Sequence, residues 1–119
     1  MIRKVLIACG GEVAVQLFRE FARSNVQTVA VYTQEDCNSK HVQFADIGIC
    51  IGETLKSYES DWRRIISAAK ITDADAIHPG NGPLSAHGRF AQVCTERGIH
   101  LIGGDAQPGS PGNGRPQPD

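Results

Sequence analysis

The 119-residue sequence lacks most of the features that assign a function at first reading. It has no excess charge of one sign. Its 12 basic and 13 acidic residues leave a net charge of -1, so no field favours nucleic acid or an anionic membrane. It has no long hydrophobic run; its apolar stretches are strand-length, far below the roughly 20 residues of a membrane-spanning helix. The four cysteines, Cys9, Cys37, Cys50 and Cys94, include no C-x-x-C pair, and no histidine stands at zinc-finger spacing from them, which argues against a metal site. The opening Met1-Ile2-Arg3-Lys4 leads straight into a strand-like run, without a secretory or transit pattern. The expectation is a cytoplasmic protein with reduced thiols, in which Cys50 and Cys94 fill core positions. No nucleophile–base pair is visible.

What is present is a repeated change of hydrophobic period. Val5-Leu6-Ile7-Ala8-Cys9 is a continuous apolar run ended by Gly10-Gly11, the pattern of a strand buried on both faces. From Glu12 the spacing turns helical: Val13, Ala14, Leu17, Phe18 and Phe21 share one face, and Glu12, Gln16, Arg19, Glu20 and Arg23 the other. Ser24-Asn25 ends that helix. Strands are predicted at Thr28–Tyr32, Ile47–Ile51, Ala74–Ile77 and His100–Ile102, with a helical turn within His41–Ala45. Ser60 or Asp61 is positioned to cap a helix that turns Trp62, Ile65, Ile66 and Ala69 inward, leaving Arg63 and Arg64 for solvent or a partner. Ser85 is positioned to cap a second such helix, with Phe90, Ala91 and Cys94 inward and Gly98 at its end.

Strands alternating with helices over short loops predict an α/β fold, a Rossmann-like doubly wound five-stranded parallel sheet. One domain spans residues 1–102. Residues 103–119 read "GGDAQPGSPGNGRPQPD", with four prolines and no apolar side chain larger than alanine, and are expected to form a disordered tail.

Two segments are candidates for chemistry. "ACGGEVA" follows the first strand and holds Gly10, Gly11 and Glu12 at a strand-to-helix turn, where free N–H groups can meet an anion. The dinucleotide fingerprint G-x-G-x-x-G is absent, since the chain reads Gly-Gly-Glu-Val-Ala-Val from Gly10. Glu35 and Asp36 could mimic the acid that holds a ribose, but Glu12 would repel a pyrophosphate, and the favoured reading of the glycines is a tight turn that packs the helix on the sheet. "AIHPGNGPLSAH" follows the fourth strand and holds His78, Gly80, Asn81 and Gly82 where an open parallel sheet takes its ligands. Its glycines leave backbone groups uncovered; a loop that only turns the chain is the alternative. His78 by itself reads as a hydrogen-bonded structural histidine, and His87 as an exposed helix residue.

The ordered series "KVLIACGGEVAVQLFRE", "TVAVYTQEDCNSKHVQFADIGICIG", "SY", "IISAAKITDADAIHPGNGPLSAHGRFA" and "GIHLIG" resembles the N-terminal, pre-ATP-grasp domain of biotin carboxylase, the ATP-dependent component of acetyl-CoA, propionyl-CoA and pyruvate carboxylases. The resemblance runs from about Lys4 to Gly103. The family's I-A-N-R-G-E-I-A corresponds to Ile7–Ala14, with Cys9-Gly10 in place of Asn-Arg. Its H-P-G-Y-G-F-L-S-E corresponds to His78–Ala86, with Asn81, Pro83 and Ala86 in place of Tyr, Phe and Glu. The resemblance implies that His78, Gly80, Asn81 and Gly82 border the biotin site, with the Gly82 backbone beside the ureido ring.

The full-length family carboxylates biotin with bicarbonate, using ATP and magnesium held by a separate ATP-grasp domain. The expectation for this chain alone is therefore no cofactor and no activity, with a carboxylase subunit or biotin carrier protein as partner. A non-catalytic module that modulates a full-length carboxylase subunit is the alternative, with Arg19 matching a basic position of the family's subunit contacts and Arg23 standing where an acid is common. A free-standing binder of a small anion or nucleotide at "ACGGEVA" is the third reading.

Overall fold

The computed structural model describes residues 2–36, 40–54, 57–58, 60–80 and 83–102. The expected tail, residues 103–119, lies outside them, as do Cys37, Asn81 and Gly82.

The chain alternates strand and helix. Its elements are β1 (Lys4–Ile7), α1 (Gly11–Arg23), β2 (Gln27–Tyr32), the short α2 (Lys40–Gln43), β3 (Ile47–Cys50), α3 (Trp62–Ile71), β4 (Ala76–His78), α4 (Gly88–Glu96) and β5 (His100–Leu101), with 3-10 turns at Gln34–Asp36 and Pro83–Ala86. The strands form one five-stranded parallel sheet in the order β3-β2-β1-β4-β5. This is the doubly wound α/β arrangement expected from the sequence. Among the described residues no helix is long and apolar enough to cross a membrane.

Helices cover both faces of the sheet, so the central strands have no solvated side. Val5, Leu6 and Ile7 of β1 are fully buried. Successive side chains alternate between faces. Leu6 joins Val29, Val31, Ile77, Ile65, Phe90 and Cys94 under α3 and α4. Val5 and Ile7 join Ala14, Phe18, Ala30 and Ala76 under α1. Each such large side chain contributes about 1.5–3 kcal/mol by leaving water.

Three helices end in the same way. After α1, Asn25 adopts φ 61°, its N–H donates to the Ala22 carbonyl, and the Val26 N–H donates to the Phe21 carbonyl. Asp73 (φ 58°) with Ala74 repeats this after α3, and Gly98 (φ 75°) with Ile99 after α4. These are Schellman endings, each with an apolar residue just beyond the left-handed position.

Three expectations are corrected. Ser85 does not cap α4, because the 3-10 turn from Pro83 absorbs it; the N-cap is His87, whose Nδ1 accepts the Phe90 N–H, so His87 is half-buried ahead of the helix and not an exposed helix residue. Cys50 is exposed rather than buried, because β3 is an edge strand and its side chains alternate between half-buried and exposed. The sequence reading also omitted Val15 from the buried face of α1. Asp61 takes the N-cap position of α3 without a side-chain cap bond, its carboxylate lying 3.8 Å from Arg64 Nε instead.

Candidate functional site

The sheet order reverses between β1 and β4. The chain leaves β1 toward β2 on one side, and leaves β4 toward β5 on the other. The carboxyl ends of these two strands therefore splay their loops apart, the usual place for a ligand in an open α/β sheet. Ile7 stands in register with His78, and the Ala8 N–H donates to the His78 carbonyl at 2.8 Å. Both segments singled out in the sequence start from this point.

On the β1 side, Gly10 is the N-cap of α1 and makes no side-chain cap bond, and Gly11 enters the helix at φ 68°. Glu12 is exposed in the first turn. A Cβ on Gly10 would lie 3.4 Å from the Tyr58 hydroxyl and 3.7 Å from His41 Cε1. His41 and Tyr58 therefore wall the glycine turn. The sequence reading did not identify them as site residues, since nothing local ties residues 41 and 58 to residue 10.

On the β4 side, Pro79 and Gly80 are buried and His78 is half-buried. His78 Nδ1 accepts the Gly80 N–H at 3.1 Å, and its ring meets Phe21 of α1 edge-on at 6.3 Å. Burial holds the His78 pKa below its ordinary value, against the pull of Glu20. Gly80 adopts φ 75°, and a Cβ there would stand 2.8 Å from Cys9 Cβ and 2.9 Å from Cys9 Sγ. The two glycine segments thus touch directly, with Cys9 fitted into the space Gly80 leaves. Burial pushes the Cys9 thiol up to about 11, so it stays protonated and is no nucleophile at neutral pH. Asn81 and Gly82 lie outside the described residues.

Beyond the 3-10 turn, the His87 ring lies 5.7 Å from Trp62, and the Arg63 guanidinium sits 4.5 Å over the same indole. A separate cleft of about 220 Å³ opens between β3 and α3, lined by Ile49, Cys50, Arg64, Ser67 and Ile71 among others, and shares no residue with the glycine segments. Among the described residues, no three His, Cys, Asp or Glu side chains gather as a metal site. At the switch point the glycines admit the protein's own groups: Cys9 against Gly80, and the Tyr58 phenol and His41 imidazole against Gly10.

The family model for the N-terminal domain of biotin carboxylase matches residues 1–108. Biotin carboxylase 1 of Bacillus subtilis is 42% identical over 107 residues, which cover 89% of this chain and 24% of that protein. Pyruvate carboxylase of Staphylococcus aureus is 44% identical over 104 residues, covering 86% of this chain and 9% of that one. This chain thus spans at most a quarter of these curated relatives. Among solved structures, the biotin carboxylase domain dimer of Hydrogenobacter thermophilus 2-oxoglutarate carboxylase, with MgADP, ADP and bicarbonate, superposes with a TM-score of 0.80 at 38% identity over 87% of this chain and 23% of that one. A biotin carboxylase–β,γ-ATP complex from Campylobacter jejuni gives the same TM-score at 36% identity, with the same coverage. The five-strand order, the glycine turn after β1 and the family match over residues 1–108 agree, and the chain belongs to the biotin carboxylase N-terminal domain family.

Proposed function

We propose that this chain supplies the Rossmann-like N-terminal domain of an ATP-dependent biotin carboxylase, a ligase, and lends the loop from His78 to Gly82 to one edge of the biotin site. The observation that carries this reading is the seat of Gly80 against Cys9 at the switch point. A contact made by backbone survives side-chain change, so the loop can keep its place with Asn81, Pro83 and Ala86 where the family has larger or acidic side chains. The loop would meet the amide-like ureido ring through backbone donors and acceptors. A cytoplasmic setting accords with the free thiols of Cys9, Cys50 and Cys94.

As a 119-residue polypeptide, the chain is proposed to have no bicarbonate-dependent ATPase activity. Phosphoryl transfer needs cations placed around the nucleotide. The arginines of α3 are engaged elsewhere: Arg63 lies over Trp62, while Arg64 donates to the Ile51 and Thr54 carbonyls. ATP, magnesium and bicarbonate would be handled by the further length that the relatives possess, and the partners would be a carboxylase subunit or biotin carrier protein. The test measures bicarbonate-dependent ATP hydrolysis with free biotin, first with this chain alone and then with the remainder of Bacillus subtilis biotin carboxylase 1 added in trans. No turnover alone and recovery in trans is the expected result. Turnover alone would remove the claim of inactivity, and failure to restore activity in trans would count against the proposed role in a working carboxylase.

One feature favours a second reading, a module that binds a full-length carboxylase subunit. Arg19 on the outer face of α1 lies 5.1 Å over the ring of Phe44, one of the exposed large hydrophobic residues. A single monomeric peak on size exclusion, with no carboxylase retained in a pull-down, would remove it.

A further inference from the structure

Two histidines stand at the ends of the segment that joins β4 to α4, and both use the same atom in the same way. His78 Nδ1 accepts the Gly80 N–H at 3.1 Å. His87 Nδ1 accepts the Phe90 N–H at 3.1 Å. Each acceptor is a ring lone pair, which exists on Nδ1 only in the neutral tautomer that carries its hydrogen on Nε2. An imidazolium has donors at both nitrogens and no acceptor. Adding a proton to either ring therefore turns its bond into a donor facing a donor.

The two amides have no easy substitute. Gly80 is buried in a left-handed conformation against Cys9. The Phe90 N–H is one of the first-turn donors of α4, which no carbonyl of the helix can reach. An imidazolium at His87 would also set positive charge at the end of α4 where free N–H groups favour anions.

We propose that His78 and His87 are paired proton-sensitive clasps: as neutral rings they seat Gly80 on Cys9 and fix the first turn of α4, and on protonation both amides are released. The neighbours of His78 set the balance at that ring. Glu20 of α1 is the charged group acting on His78 and favours the imidazolium, while burial opposes it; Phe21 of the same helix and the protonated Cys9 thiol at the end of β1 carry no charge. Trp62 of α3 faces His87, and Arg63 is the cation over that indole. Because the His78 pKa is lowered in the folded chain, the unfolded chain binds more protons between the two values, and the His78 contribution is lost as pH falls through that window. This inference stands whether or not the loop meets biotin.

The full chain, labelled with 15N, tests it by NMR between pH 8 and pH 5. Amide exchange is read as protection relative to the intrinsic rate at each pH. The expected result is a tenfold or greater loss of protection at Gly80 and Phe90 that follows the titration of the His78 and His87 ring nitrogens, with Leu6 in β1 unchanged. Rings that titrate while both amides keep their protection would overturn the proposal. So would ring shifts placing the hydrogen on Nδ1 at pH 8. A His78→Asn/His87→Asn variant supplies a side-chain oxygen that accepts but does not titrate, and its protection should stay flat. A pH response equal to that of the unaltered chain would assign the effect to other groups and overturn the proposal.

Discussion

Gly80 carries the tightest steric demand among the described glycines. A Cβ there would meet Cys9 Cβ at 2.8 Å, and the backbone is left-handed besides. Gly80→Ala should therefore destabilise the chain by about 2–4 kcal/mol, on the order of 1 from the left-handed backbone and the rest from overpacking. Adding Cys9→Gly removes the atoms that collide and leaves the backbone cost. The pair should couple favourably by about 1 kcal/mol or more in a double-mutant cycle of urea denaturation. Additive effects would mean that Gly80 is required only for its φ. Part of this was legible, since two glycines after a buried run announce close approach. That the approaching atom is a cysteine from the other glycine segment was not, because contact between residues 9 and 80 follows from strand order. The same gap explains Cys50: an apolar run reads as buried until its strand is known to lie at the sheet edge.

Among the elements, the helices were most legible where the chain states its own boundaries. Gly98 was read as a helix end and sits at the left-handed position after α4. Strands shifted by only a residue or two, because apolar runs fix existence and type better than limits. The start of α4 was misassigned because Ser85 is the better cap by residue type, and only the turn begun at Pro83 moves the cap to His87. The three Schellman endings give a prediction at this scale. Asn25 and Asp73 hold the conformation that glycine holds after α4. Asn25→Gly and Asp73→Gly should each stabilise the chain, by roughly 0.5–1 kcal/mol in thermal or urea unfolding, the second more because it also removes a negative charge from a helix C-terminus. A loss of stability at both sites would show that the side chains contribute more than the backbone strain costs.

For the whole molecule, the decisive contact is the one between β1 and β4, since it carries both the sheet reversal and the candidate site. It is held at both ends. At the carboxyl end the Ala8 N–H meets the His78 carbonyl. At the amino end the Asp75 carboxylate accepts the Arg3 N–H at 2.8 Å and the Lys4 N–H at 3.0 Å, and the Asp75 carbonyl accepts the His100 N–H of β5. Asp75 thus joins three of the strands, and its role was not legible from a sequence in which it stands as one acid among 13. The Arg3 backbone N–H foremost, with that of Lys4 and the nearby positive charges, holds its carboxyl below the ordinary carboxylate range against a smaller opposing effect of burial. A carboxyl with a lowered folded pKa stabilises above its unfolded value, and that stabilisation disappears as pH falls through the folded one. Asp75→Asn should lower the melting temperature at pH 7 and should flatten the fall in stability below about pH 4, because both N–H groups converge on the one oxygen Oδ2, and an amide oxygen in its place accepts them without the negative charge and does not titrate there. The measurement is thermal unfolding across that range for both chains. Parallel acid limbs, offset by a constant amount, would assign the acid sensitivity to other carboxylates and leave Asp75 a hydrogen-bond acceptor without a titrating role.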